Sequence, residues 1–259
     1  MTEDRRARRD VSHAEREARR AARRDERQLR HSAREARRRH GRSGDSGSPG
    51  LTADEIGRAA LAIIDRDGLD ALTVRRLATE LDVGTMTLYW YVRDKDQVLD
   101  LVKDQILGEA AVPPEGSDWR ERATAMAHNL RHALLAHPEA ASIVATRPAT
   151  GPRGAALLEH ALGVLAATGL GDEAIANAYW TIWSYVTGFV AMQAANTAGG
   201  ELSPARREAI ERAMKELQSM PLDRFPHLVR LAPSLFDPGL NTRFESGLRS
   251  IIDGIAADR

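Results

Sequence analysis

Two short helical patterns joined by a three-residue break, between Leu72 and Leu99, constrain this chain more than any other passage. Thr73 opens the first pattern: its hydroxyl can cap an orphan helix N–H, and Val74, Leu77, Ala78 and Leu81 then fall on one apolar face. Asp82-Val83-Gly84 breaks the periodicity, and a second pattern starts at Thr85 with Leu88 and Val92 spaced i, i+4. Docking through Leu88 and Val92 leaves Met86, Thr87, Tyr89 and Tyr91 on other faces. A helix-turn-helix needs that division, because its second helix must hold the core with one side and reach base edges with the other. Spacing alone suits an ordinary helical hairpin equally well. The aromatic run Tyr89-Trp90-Tyr91, with Arg75, Arg93 and Lys95 around it, turns the expectation toward nucleic acid.

A net charge of zero conceals segregation. Residues 1 to 43 hold 16 Arg, no Lys and 8 acidic residues, a surplus of eight positive charges that the acidic remainder of the chain cancels. A basic arm on a mildly acidic body is the footprint of a protein that meets a polyanion at one end. The arm alternates Arg, Ala and Glu without an apolar face, so it should order only on a partner. Ser43 to Gly50 follows as a Gly/Ser-rich linker.

After the linker, the Thr52-x-x-Glu55 spacing forms a capping box, Ile56, Ala60, Ile63 and Ile64 give an apolar face, and Gly68 supplies a stop. Asp96 to Glu109 is predicted as a linking helix. Further helices are predicted over Asp118 to Ala136, Ala155 to Thr168, Asp172 to Thr197, Pro204 to Gln218 and Asp237 to Ala257, with Pro and Gly at the joints. The last carries Leu240, Phe244, Leu248, Ile251, Ile252 and Ile255 on one stripe, and the Asp172 helix is apolar over much of its circumference. The two are expected to form part of a dimer bundle, the alternative being that both stripes are intrachain core. No cysteine is present, no apolar run reaches transmembrane length, and the N-terminus lacks a secretory apolar stretch, so a cytoplasmic protein with no membrane partner is expected.

In the Leu88-Tyr89-Trp90 segment followed by Lys95, and in the ungapped run from Leu51 to Leu107, the chain resembles the TetR family of bacterial transcriptional repressors. The resemblance covers roughly residues 51 to 195 and weakens beyond. It implies an all-α fold: a three-helix helix-turn-helix DNA-binding domain over 51–97 and a larger helical ligand-binding and dimerisation domain over 98–259. The linker over 44–50 and an Arg-rich DNA-contacting arm over 1–43 precede them. Thr85, Met86, Thr87, Tyr89 and Tyr91 fall where family members read the major groove, Thr73 and Arg75 where the preceding helix contributes, and Lys95 where a phosphate is held. Tyr91 stands at a position commonly His in the tetracycline repressors, and Thr85-Met86 replaces their Gln-Pro pair, so a different operator is expected.

The same branch uses two His and an Asn to hold a tetracycline-magnesium chelate; here those positions fall on Ala111, Ile143 and Met126. A magnesium chelate would lack its anchors, so another inducer is expected and no cofactor is required. By resemblance the pocket takes Met126, Leu130, Ile143, Tyr179 and Trp183, and Met192 from the other subunit, with Arg122 one turn before Met126. Thr146-Arg147-Pro148 falls at the family's hinge between pocket and linking helix, where Arg147 serves either as a ligand contact or as a helix-end ion pair. Four aromatics within Tyr179 to Tyr185 facing one Arg suit a large, flat, partly anionic aromatic ligand, although such stripes are more often core. His128 and His132 share a face but lack a third ligand, and no metal site is expected from them.

The resemblance further implies a homodimer on double-stranded, pseudo-palindromic operator DNA, released by a small-molecule inducer. Residues 1 to about 45 are an addition to the ordinary family plan, similar to the arm of a repressor of an antibiotic exporter, which implies control of an efflux gene. Arg5, Arg6, Arg8, Arg9, Arg16, Arg19, Arg20 and Arg23 are the arm's candidate contacts, to a narrow minor groove or to phosphates alone. No nucleophile elbow, P-loop, dinucleotide fingerprint or zincin helix occurs, and an enzyme is not expected. The alternative is a helical nucleoid- or RNA-binding protein acting mainly through the arm.

Overall fold

The computed structural model describes residues 51–116, 118–149, 151–198, 201–202, 204–236 and 239–257. The expected arm and linker lie outside the described residues.

Helix α1 (Ala53–Asp67) begins with the expected capping box: Glu55 N donates to Thr52 Oγ1 at 3.1 Å and Thr52 N donates to Glu55 Oε2 at 2.8 Å. Two orphan donors are thereby satisfied reciprocally. Ile56, Ala60, Ile63 and Ile64 are fully buried, and Gly68 ends the helix at φ 84°, a conformation that favours glycine. A single 3₁₀ turn (Leu69–Ala71) leads to α2 (Val74–Glu80), capped by Thr73, whose Oγ1 accepts from Arg76 N at 3.1 Å.

The tight turn is made by Asp82 at φ 51°, a left-handed position that a short polar side chain tolerates better than a branched one. Helix α3 (Thr85–Tyr91) then runs with Leu88 fully buried, and Val92 closes its C-terminus inside the core. Helix α4 (Lys95–Glu109) starts one residue earlier than predicted because Asp94 accepts from Gln97 N and sets the cap.

Helix α4 packs on α1 and also on α5 (Trp119–Ala136), α6 (Ala141–Thr146) and α7 (Pro152–Ala166), so it belongs to both halves of the molecule. Helix α8 (Asp172–Asn196) packs on α5, α6 and α7. A two-residue antiparallel pair, β1 (Thr197–Ala198) with β2 (Glu201–Leu202), is the only strand pairing among the described residues. Helices α9 (Pro204–Gln218) and α10 (Pro226–Phe236) pack on each other, and α11 (Leu240–Ala257) returns to α5 and α8.

Three differences from the sequence expectation have physical causes. Helix α7 starts at Pro152 rather than Ala155, because proline at the first helical position costs no hydrogen bond. Helices α6 and α10 were not predicted: α6 spans six residues, too few to display a period, and α10 contains Pro233, which reads as a breaker. The α11 stripe, expected as part of a dimer bundle, is largely satisfied inside one protomer. Phe244, Leu248, Ile252 and Ile255 are buried, with the Phe244 ring stacked on Tyr185 at 5.4 Å and edge-on to Phe189 at 5.2 Å.

Candidate functional site: a reading helix and an apolar cavity

Burying Leu88 and Val92 fixes which residues α3 can offer outward. Met86 is 42% exposed and Tyr91 41%, Thr87 is exposed, and Thr85 and Tyr89 are half-buried. Arg75 of α2 and Lys95 at the first turn of α4 are exposed on the same head. Charge partnering divides the head's cations into two groups. Arg66 is gripped by Glu80 at 2.9 Å and Asp67 at 2.8 Å, and Arg76 by Asp67 at 2.5 Å. Among the described residues, no carboxylate pairs with Arg75 or Lys95, which keeps both charges available to a polyanion. Thr73 is engaged as the α2 cap, so its hydroxyl already accepts one backbone bond.

The body holds a partly open apolar cleft, walled by α5, α7 and α8 with Leu107 from α4. Met126, Leu130, Tyr179 and Trp183 line it as expected residues brought together, joined by Leu107, Ala123, Ala127, Leu157, Leu158, Ala161, Leu165 and Ile182. The wall is almost wholly apolar, and Tyr179 and Trp183 are its only residues with a polar side-chain atom. Tyr179 and Trp183 stack at 5.9 Å, and burial pushes the Tyr179 hydroxyl above its ordinary pKa, keeping it a neutral donor.

The remaining candidates sit elsewhere. Ile143 is buried in the core beside the cleft, Met192 is 45% exposed on α8, and Arg122 is partly buried one turn before Met126. Thr146 Oγ1 donates to Ser142 O at 2.8 Å, and Pro148 is exposed. Arg147 donates from Nε to Asp100 Oδ1 at 2.7 Å and from Nη1 and Nη2 to Asp96 Oδ1 and O at 3.2 and 2.8 Å. The Asp100 hydrogen bond raises its pKa further above the ordinary arginine value. His128 faces Glu245 at 3.2 Å and His132 is exposed.

A chain of polar contacts connects the cavity to the head. Lys103 of α4 donates to Val144 O at 2.8 Å and to Arg147 O, and Asp104 accepts from Gly154 N at 2.9 Å near the start of α7. Arg153 of α7 pairs with Asp54 of α1, to which Gln105 also donates at 2.9 Å. At the other end of α1, Asp65 receives His137 Nδ1 at 2.7 Å while Glu109 receives its Nε2 at 2.9 Å. Both ends of α1 are therefore tied to the body. Sequence reading missed Lys103, Asp104, Arg153 and His137, because each pairs across a large sequence separation with no local pattern to mark it.

A family profile described as "Tetracyclin repressor-like, C-terminal domain" matches residues 112–259, and one described as "Bacterial regulatory proteins, tetR family" matches residues 56–102. The chain belongs to the TetR family. Its members are DNA-binding regulators rather than enzymes. The TetR-family chain is 41% identical over 146 residues to an HTH-type transcriptional regulator of Saccharopolyspora erythraea, covering 56% of this chain and 62% of that one. It is 35% identical over 218 residues to the class A tetracycline repressor of Escherichia coli, covering 81% and 92% of the two chains. Among solved structures it resembles ActR of Streptomyces coelicolor in complex with actinorhodin, with a TM-score of 0.75, 37% identity, and coverage of 82% of this chain and 98% of that one. No helix of the described residues is long and apolar enough to cross a membrane.

Proposed function

We propose that this TetR-family chain is a ligand-released transcriptional repressor that binds a pseudo-palindromic operator as a homodimer in the cytoplasm and controls an efflux or antibiotic-resistance gene. The observation that carries the reading is that one helix, α4, packs against both the head that presents α3 and the wall of the apolar cavity. A ligand that reshapes the wall can bias the head only through differential contacts in two states, and α4 is where such contacts meet.

In this reading Thr85, Met86, Thr87, Tyr89 and Tyr91 read bases, Arg75 assists from α2, and Thr73 and Lys95 hold the backbone. The outward faces of α8 and α11, including the 60% exposed Trp180, pair with their copies, since a two-fold axis sets two heads on two half-sites. The inducer is a large aromatic molecule; the ActR complex with actinorhodin supports that class, and the missing magnesium anchors at Ala111, Ile143 and Met126 speak against tetracycline. The Arg-rich arm adds a second grip on the same DNA.

DNase footprinting on the DNA flanking this chain's own gene tests the proposal. A protected inverted repeat that is lost on adding an aromatic polyketide such as actinorhodin is the expected result, and the absence of any protected site overturns it.

A further inference from the structure

We propose that the cleft takes its ligand uncharged: an aromatic ring system with no ionised group on the part that the walls enclose. The inference rests on reading the cleft as the ligand site and adds the charge state which that site selects. Leucine, alanine, valine, isoleucine, methionine and glycine make up most of the wall, and no Lys, Arg, His, Asp or Glu is among its described residues. Tyr179 and Trp183 are both neutral, and burial raises the Tyr179 pKa, which removes a phenolate as a source of charge.

The cations of the walling helices are committed elsewhere. On α5, the Arg120 guanidinium lies 4.9 Å from the Trp119 ring centroid and pairs with Asp118 at 3.4 Å. Arg131 donates to Gln193 Oε1 at 2.8 Å and to Asn241 Oδ1 at 2.7 Å. Arg122 is not part of the wall, and its Nε is sealed within the protein. Arg153 of α7 pairs with Asp54, and the buried carboxylate of Asp104 accepts from Gly154 N at 2.9 Å. Lys103 comes within 5.3 Å of the Trp183 ring centroid, but it is 3% exposed and is held by the Val144 and Arg147 carbonyls. An anion drawn against this wall gives up its hydration and meets no counter-charge, whereas the neutral form gives up little. The expectation of a partly anionic ligand rests on Arg122 facing the aromatic residues; without that contact, the same aromatic wall selects the neutral, protonated form of an acidic ligand.

Two dyes separate this inference from the cleft reading beneath it. Alizarin has an acidic phenol whose ionisation spreads charge over its fused rings and changes its colour, so its spectrum reports its protonation state. N-phenyl-1-naphthylamine is an uncharged aromatic fluorophore. Alizarin is titrated from below to above the pKa of that phenol, alone and with saturating full chain. The bound dye should keep the spectrum of its neutral form where the free dye is ionised, with a pKa raised by about one unit or more, which means that the neutral form binds about tenfold or more tightly than the anion. N-phenyl-1-naphthylamine should displace it and should bind within about twofold across the same pH range. An unshifted or lowered pKa of the bound dye overturns the inference, since a cation such as Lys103 then reaches the ligand; so does failure of the neutral dye to bind while the fluorophore does. Failure of N-phenyl-1-naphthylamine to bind overturns the cleft reading itself. Ala161→Trp and Leu158→Trp, each of which fills the cleft, should weaken both dyes by about tenfold, and unchanged binding in either folded variant overturns the cleft reading as well.

Discussion

The Lys103 ammonium lies 5.3 Å from the centroid of the Trp183 ring, so a charged side chain of the linking helix, besides Leu107, reaches the wall of the cavity. The same ammonium donates to the carbonyls of Val144 and Arg147 at the end of α6. Burial lowers the Lys103 pKa to about 8, so the charge is held at a cost. Lys103→Met leaves two carbonyls without their donor and should destabilise the chain by about 1 to 3 kcal/mol in urea unfolding. Because the unfolded chain binds this proton more tightly between pH 8 and 10.5, the cost of the buried charge should fade as pH rises through that window in the parent and be absent in the variant. Equal stability at neutral pH would contradict the coupling role.

Leu88 and Tyr89 are adjacent on α3 and should respond to substitution in opposite ways. Leu88 is fully buried, and Leu88→Ala should cost about 2 to 5 kcal/mol of stability. Tyr89→Ala should leave stability nearly intact and cost about 1 to 3 kcal/mol of operator affinity by fluorescence anisotropy. If Tyr89→Ala binds operator normally, α3 is not the reader.

His137 offers both ring nitrogens to carboxylate oxygens, a geometry that only the doubly protonated imidazolium satisfies fully. Burial opposes that charge, but the hydrogen bonds to Glu109 and Asp65 outweigh it and raise the pKa above 6.5. A raised native pKa means the contribution is fully present below the unfolded value and is lost as pH rises through the native one. Stability of the parent relative to His137→Gln should therefore be greatest at mildly acidic pH and shrink upward from about pH 6.5, measured by urea unfolding across pH. Parallel curves would remove His137 from the link between head and body.

A chain beginning at Ser43 should keep its sequence preference but bind operator more weakly, with a shallower slope of log K against log salt, because losing Arg–phosphate contacts leaves fewer counterions to release. An unchanged slope would show that the arm does not touch DNA.

What was legible in the sequence divides along range of interaction. The capping box at Thr52 and Glu55, the Thr73 cap, the stop at Gly68 and the Leu88–Val92 docking pair are set by residues within one or two turns, and local pattern found them. Helix α6 was too short to show a period and α10 hid behind Pro233. The cavity was half legible: Met126, Leu130, Tyr179 and Trp183 followed from resemblance, whereas Leu157, Leu158 and Ala161 of α7 carry no mark that separates a cavity wall from a core. Phe244 shows the converse, an amphipathic stripe that satisfies its apolar face within one protomer. The ties from Asp54 to Arg153 and from Asp65 to His137 join residues far apart in sequence, and only the folded chain reveals them.

In the proposed function, α3 reads DNA as one of two heads related by a two-fold axis. Selection of binding sites from a pool of random duplex DNA by the full chain, followed by sequencing, measures this whatever the operator sequence is. Two inverted half-sites at a fixed spacing should be enriched, and Tyr89→Ala should abolish the enrichment. Recovery of unrelated sequences, or equal enrichment by that variant, would contradict the two-headed reading.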